Sequence, residues 1–412
     1  MSRASAFIQS PEGGRCYPIN GWVRYTMKVG ITEAWVLRRG PRDGYEPGKL
    51  EKAEYPLPPM SDSDVLAEPI YGAWEANMTH CLERKPIDVC RIRREEQVVL
   101  GNAGVVRILE TGAAVTTCRP GDMCLLVPIG ATDEYGHTVK VFGYDAPNMM
   151  GLMAKRAVFH EFNVTPIPAD TRHSYVRWAG FPVRYATAWE NWKLCYNVWQ
   201  AQFDMGEFPP PHLSGWGGAV TLAMAQLALH FGCPASMVAS TDYRINLLRR
   251  LGITPIDRRK FPHLDFDEQR YETDRDYRVK YLQSEGAFLE AIHEVTGGRG
   301  VAIFVDNLGG PLFRATLRAL GRLGIVTTSG WKCGKKLSYD RVAATVGRHA
   351  FLHVHGCRRS EGVKSVAFAD EHGWLPPDGD EVYGWEQIPQ MAEDYAAGRI
   401  ESYAPVFEIN PL

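Results

Sequence analysis

The residues best placed to do chemistry run from Gly215 through Trp216, Gly217, Gly218, Ala219 and Val220 to Thr221, directly ahead of the apolar stretch Leu222 to Gly232. Glycines there let a backbone turn tightly and approach a pyrophosphate, and a helix opening at that point offers its unsatisfied N–H groups to the anion. The glycine that closes such a fingerprint is absent, and Val220 or Thr221 stands in its place. Forty glycines in the chain make chance matches easy, so an ordinary loop before a helix fits the motif alone equally well.

The neighbouring elements favour the phosphate turn. Ser236 to Thr241 is a short apolar run suited to a buried parallel strand. Asp242 is placed to cap a helix from Tyr243 to Leu251, which Gly252 ends. Thr254 to Asp257 and Gly300 to Asp306 read as further short strands, followed by a helix from Pro311 to Leu323 and a strand from Gly324 to Ser329. Alternating apolar runs and amphipathic helices are the pattern of a doubly wound parallel sheet. The first strand starts badly, because Pro209, Pro210 and Pro211 cannot donate to a ladder.

Upstream the pattern is β-rich. Val98 to Leu109, Met123 to Val127 and Ala154 to Pro168 read as strands, with turns at Glu110-Thr111-Gly112 and Arg119-Pro120-Gly121-Asp122. Tyr403 to Ile409 is placed to return as one more strand. Two polar excursions stand out, Arg38 to Pro59 and Phe261 to Gln283. The second is too long for an ordinary strand-to-helix connection.

A chain of 412 residues exceeds one ordinary domain, so two are expected. A formal charge of −2 gives no electrostatic case for nucleic acid or an anionic membrane surface. No apolar run is long enough to span a bilayer, and Met1 to Gly14 lacks the apolar core of a signal peptide. Cys16, Cys81, Cys90, Cys118, Cys124, Cys195, Cys233, Cys333 and Cys357 are odd in number and match no zinc-ribbon or Cys-x-x-Cys spacing. Reduced cysteines in a cytoplasm are the simplest reading.

The order of "VVLGNAGVVRILETG", "CRPGDMCLLVP", "GWGGAVTLAMAQLALHFG" and "TGGRGVAIFVDNLGGPLFRATLRALGRLGIVTTSGW" resembles the medium-chain dehydrogenase/reductase superfamily over roughly residues 60 to 400. The polar insertion 261–283 with "LEAIHEVTGGRG", and "GYDAPNMMGLMAKRAVFHEFNVTPIP", resemble crotonyl-CoA carboxylase/reductases. The resemblance implies an α/β fold with a GroES-like β-barrel catalytic domain and a Rossmann doubly wound domain, the active site lying in the cleft between them. The catalytic domain would span 1–185, completed by 365–412, and the nucleotide-binding domain 186–364. Relatives are commonly dimers or tetramers, which implies a homo-oligomer.

Many members of that superfamily hold zinc through a Cys and a Gly-His-Glu motif. Here Glu75 stands for the Cys, and Gly101-Asn102-Ala103 for the second motif. An amide oxygen is a poor zinc ligand, so no metal is expected. Without one, the hydride acceptor must be activated otherwise. A thioester does this, since its carbonyl spreads the charge formed by attack at the β-carbon, and protein donors need only stabilise the enolate oxygen.

In NAD sites an acidic residue ends the second strand, and here that position is Ala239. Ser240, Thr241 and Arg244 follow and suit a 2′-phosphate, favouring NADPH over NADH, with Asp242 as counter-evidence. Asn307, after the Gly300 to Asp306 run, is a further expected cofactor contact beside the glycine turn.

The catalytic candidates come from the resemblance. A Phe–Glu pair that handles carbon dioxide in the reductive carboxylases matches Tyr144-Asp145, a histidine of that pocket matches His353, and an Asn matches Asn77. Tyr for Phe adds a hydroxyl and Asp for Glu shortens the reach, which favours plain reduction over reductive carboxylation. Tyr144, His80 and His353 are each able to supply a proton. The aromatic run Trp178 to Trp199 is expected to pack the core, with an acyl-binding wall as the alternative. The substrate implied is a small acyl thioester, on CoA or an acyl carrier protein. Two other readings stay open: a non-redox lyase, isomerase or scaffold with a degenerate cofactor loop, and a zinc-free quinone or aldehyde reductase.

Overall fold

The computed structural model describes residues 30–41, 46–204, 206–330, 332–334, 336–377 and 381–412. Met1 to Gly14, Cys16 and residues 42–45 of the first excursion lie outside them.

The chain opens with β1 (Ile31–Arg38), β2 (Leu50–Pro56) and β3 (Asp64–Ala73), then α1 (Ala76–Glu83) and α2 (Val89–Arg93). There follow β4 (Gln97–Val99), β5 (Gly104–Thr111), β6 (Met123–Leu126), β7 (Ala131–Thr132), β8 (Thr138–Lys140), β9 (Ala157–His160) and β10 (Val164–Pro166). All their pairings are antiparallel. β3 is the hub. Its burial largely alternates along the strand, as expected when one face packs on a core, and it pairs with both β5 and β9. The strand expected over Val98 to Leu109 is two strands, β4 and β5, which belong to different sheets.

Two helices, α3 (Tyr175–Ala179) and α4 (Arg184–Gln200), carry the chain out of this β unit. Their aromatic run buries Trp178, Tyr185 and Trp192. Trp178 meets Phe181 with ring centroids 5.4 Å apart, and Trp374 meets Tyr185 at 5.0 Å. These spacings fall in the range where aromatic pairs add to simple area burial.

The doubly wound region contains β11 (Leu213–Gly215), α5 (Ala219–His230), β12 (Ser236–Ala239), α6 (Asp242–Arg250) and β13 (Thr254–Asp257). It continues through α7 (Glu268–Thr273), α8 (Arg275–Thr296), β14 (Val301–Val305), α9 (Phe313–Ala319), β15 (Leu320–Thr328), α10 (Arg341–Gly347), β16 (Ala350–His353) and α11 (Arg359–His372). Every strand pairing here is parallel. β11, β14, β15 and β16 form one ladder and β12 and β13 another, and a bridge from Leu213 to Ala235 joins them. The spatial order is β13-β12-β11-β14-β15-β16, the 3-2-1-4-5-6 order of a dinucleotide-binding sheet. β14 is buried at all its positions, as a strand covered by helices on both faces must be.

Several boundaries differ from the sequence expectation. β11 begins only at Leu213, so the prolines lie outside the ladder. Thr241, not Asp242, caps α6, its Oγ1 accepting from Arg244 N at 3.3 Å. α9 ends at Ala319, because Leu320 pairs with Val301 and draws the following residues into β15. The polar stretch 261–283, too long for an ordinary connection, holds α7 and the first part of α8. Asp267 and Asp274 cap α7 and α8, and the segment closes on a half-buried aromatic cluster in which Phe266 meets the buried Tyr281 at 5.2 Å and the Arg314 guanidinium lies 4.4 Å from the Phe266 ring centre. It is polar because the outer faces of both helices meet solvent.

The chain then forms β17 (Val382–Tyr383), α12 (Ile388–Ala396) and β18 (Val406–Glu408). β18 returns to the β unit antiparallel to β3, with Phe407 opposite Gly72. The stretch 403–409 therefore does come back to the β unit, with Val406–Glu408 as the strand.

Candidate active site between the β unit and the parallel sheet

A cleft of about 720 Å³ opens where the β unit meets the carboxyl ends of the parallel strands. That volume is ordinary for a small-molecule site, and the place, where strand order reverses, is where such sheets bind ligands.

The glycine turn forms one wall. Trp216, Gly217, Gly218, Ala219 and Val220 all line the cleft. Gly218 has φ 147°, a conformation that side chains oppose. It caps α5 without a side-chain bond, so the first N–H groups of that helix are left for an anion. Gly215 does not line the cleft and has a packing task. A β-carbon there would lie 2.6 Å from the Val305 carbonyl oxygen and 2.7 Å from the Thr221 methyl. Thr221 is fully buried, and its Oγ1 has no partner. The missing glycine is thus replaced by a residue whose methyl occupies the hollow that Gly215 leaves. The Trp216 indole points beneath the turn: it stacks on Phe288 at 5.0 Å, and its Nε1 donates to Thr316 Oγ1 at 2.7 Å. Thr316 Oγ1 in turn donates to Asp306 Oδ2 at 2.7 Å.

At the end of β12, Ala239, Ser240 and Arg244 line the cleft, and Thr241 is occupied as the α6 cap. Arg244 is committed to the C-terminal segment. Its Nε donates to Glu401 O at 2.9 Å and its Nη2 to Ile400 O at 3.1 Å, and it lies 4.8 Å from the Tyr403 ring centre. Asp242 faces the outer surface and pairs with Arg259 at 2.8 Å. Arg258, just past β13, lines the cleft instead. Asn307 lines it too, its Oδ1 accepting from Ser329 N at 2.7 Å.

The opposite wall comes from the β unit. Asn77 and His80 on α1, together with Tyr144, line it. The Asn77 Oδ1 has no partner. Burial pushes the His80 pKa down and the Tyr144 hydroxyl well up. Asp145 does not line the cleft. Its Oδ1 accepts from Val141 N at 2.7 Å and its Oδ2 from Lys140 Nζ at 3.4 Å, which braces the loop. His353 ends β16 exposed and outside the cleft, and His355, two residues on, lines it.

Sequence reasoning took Glu75 only as the stand-in for a zinc-ligating Cys and missed Arg184 altogether. Glu75 and Arg184 both line the cleft, each about 95% buried, with Arg184 Nη1 2.5 Å from Glu75 Oε1. Arg184 Nη2 also donates to the Trp74 carbonyl. Burial drives the Glu75 pKa up to about 7 even though Arg184 opposes the rise. Their signal was in the sequence: single charges set in otherwise apolar runs, at the end of β3 and within the aromatic stretch. Thr165 and Tyr403 also line the cleft more than nine-tenths buried, and the hydroxyl of each is unpartnered.

Asn102 is fully buried, and neither atom of its amide has a partner. Among the described residues no three His, Cys, Asp or Glu side chains converge as a metal-binding group. The eight described cysteines are free, and no described helix is long and apolar enough to cross a membrane.

No protein-family model and no curated protein sequence matches the chain. Solved structures do. A crotonyl-CoA carboxylase/reductase, AntE, in complex with NADP superposes with TM-score 0.75 at 20% identity, over 94% of this chain and 98% of that one. The chain shares the fold of that structure. The 2-octenoyl-CoA carboxylase reductase CinF, in complex with NADP and 2-octenoyl-CoA, gives TM-score 0.74 at 18% identity over 92% of this chain and 87% of that one. An NAD-dependent alcohol dehydrogenase gives 0.71 at 18% identity over 92% and 100%. The fold expected from the sequence, a GroES-like barrel with a Rossmann sheet, is the fold observed.

Proposed function

We propose that this chain is an NADPH-dependent, zinc-independent reductase of an α,β-unsaturated acyl thioester. The observation that carries the reading is the glycine turn at the N-terminus of α5, open to a cleft whose other wall presents Asn77, His80 and Tyr144. The residues present fit a dinucleotide. The Gly217–Gly218 turn and the first turn of α5 suit the pyrophosphate, Asn307 and Ser329, which also line the cleft, would meet the nicotinamide, and Ser240 with Arg258 suit a 2′-phosphate. An acidic residue at Ala239 would have held ribose hydroxyls instead. The two similar carboxylase/reductase structures contain NADP, and one contains an enoyl-CoA.

When bound, the dihydronicotinamide supplies a hydride to the substrate β-carbon. The chain's task is to orient the thioester, exclude water and manage the charge that develops on the carbonyl oxygen. Asn77, His80 and Tyr144 are the polar groups placed to meet the thioester, and Phe181, Pro182 and Val183 form an apolar wall for the acyl chain. Asp145 is engaged with its own loop, and His353 is outside the cleft. Both facts favour plain reduction over reductive carboxylation. The catalytic unit would be residues 1–185 with 365–412, and the nucleotide-binding unit 186–364. The acyl carrier is CoA or a carrier protein, and free cysteines suit a reducing compartment such as the cytoplasm.

The test is NADPH consumption with a panel of enoyl-CoA esters, with and without bicarbonate, read together with product mass. Saturated acyl-CoA in both conditions supports the reading. A carboxylated product assigns the second reaction, and no consumption with any ester removes the reductase.

A further inference from the structure

The Glu75–Arg184 pair has no part in the orientation scheme above. Buried ion pairs add little net stability, since desolvation offsets their attraction and apolar replacements often serve as well. This pair lies on a cleft wall, where perturbed carboxylates tend to serve chemistry. Arg184 engages Oε1 alone, and no other hydrogen bond reaches the Glu75 carboxylate among the described residues. One carboxyl oxygen is therefore uncommitted on the wall shared with Asn77, His80 and Tyr144.

We propose that Glu75 is the catalytic acid of this site and that Arg184 stabilises the carboxylate it leaves. The assignment rests on the reductase reading. Hydride addition at the β-carbon gives an enolate and an oxidised cofactor. The α-carbon then forms a C–H bond with the Glu75 carboxyl proton, the O–H bond breaks, and its electron pair stays on the carboxylate beside Arg184. Solvent returns the proton after product leaves. The charged and titratable groups that interact with Glu75 among the described residues are Arg184 from α4 and Tyr395 from α12. A carboxyl that titrates at about 7 is protonated enough to act near neutral pH.

The experiment compares wild type with Glu75→Gln and Glu75→Asp, using NADPH and crotonyl-CoA, beside infrared titration of the cofactor-free proteins. Wild-type kcat is expected to fall as pH rises through about 7. Glu75→Gln should lose roughly 10²- to 10⁴-fold of kcat and that pH limb, with NADPH affinity retained, while Glu75→Asp keeps the limb. A protonated-carboxyl infrared band titrating near neutrality should be present in wild type and absent from Glu75→Gln. Retained kcat with an unchanged limb in Glu75→Gln, or no such band in wild type, overturns the assignment alone. A wild type that shows the band yet oxidises no NADPH with any enoyl ester overturns the reductase reading, and the role of Glu75 falls with it.

Discussion

The Thr221 methyl fills the space a side chain on Gly215 would need, 2.7 Å from where that β-carbon would sit. The two positions are therefore coupled. Gly215→Ala should destabilise the protein by roughly 1–3 kcal/mol through overpacking against Thr221 and the Val305 carbonyl, and it should weaken NADPH binding by displacing the turn. Thr221→Val should be neutral or stabilising, because it replaces an unpartnered buried hydroxyl with a methyl. Chemical denaturation of both variants checks this, and a Thr221→Val loss as large as that of Gly215→Ala would contradict the packing account.

Cofactor choice is expected to rest on Arg258 rather than Arg244: Arg244 is tied to the Ile400 and Glu401 carbonyls, whereas Arg258, held by the Phe261 carbonyl, meets Asp265 only at 3.5 Å, a contact that a phosphate can replace. Arg258→Ala should weaken NADPH roughly 10- to 100-fold, the value of a charge-assisted contact, and leave NADH affinity unchanged. Ala239→Asp should move preference toward NADH. Titration of nicotinamide fluorescence gives both ratios, and equal losses for the two cofactors would remove Arg258 from the 2′-phosphate site.

Acid should loosen the junction between the two parallel ladders. His212 Nε2 lies 3.0 Å from Ser236 Oγ, which donates to Ser214 Oγ at 3.0 Å. Burial, with the Arg299 charge adding to it, lowers the His212 pKa from 6.5 to about 4. The unfolded chain thus binds the proton more readily. The stabilising effect is complete above about pH 6.5 and declines as pH falls toward 4, by up to about 3 kcal/mol. His212→Gln should flatten the stability profile in that window, measured by urea denaturation at stepped pH. An unchanged slope would mean other groups control it.

The parallel sheet was legible because buried strands such as Val301–Val305 are continuous apolar runs and its helices are amphipathic. Element ends were less so. Thr241 or Asp242 can each cap α6 from sequence alone, and the end of α9 is set by pairing with a distant strand. The glycine turn, Asn77, His80, Tyr144, Ser240 and Asn307 do share one cleft. His353 and Asp145 do not, because β16 carries His353 to an exposed end and bonds within its own loop hold Asp145 away. The Glu75–Arg184 pair was invisible as a pair: 109 positions separate its members, and only the meeting of α1 with α4 brings them together.

The most direct measurement of the central claim is the fate of the hydride. NADPH deuterated at C4 of the nicotinamide, incubated with this protein and crotonyl-CoA, should yield butyryl-CoA carrying one deuterium at the β-carbon. Unlabelled or unreduced crotonyl-CoA, with no bound NADPH detectable at millimolar concentration, would contradict it.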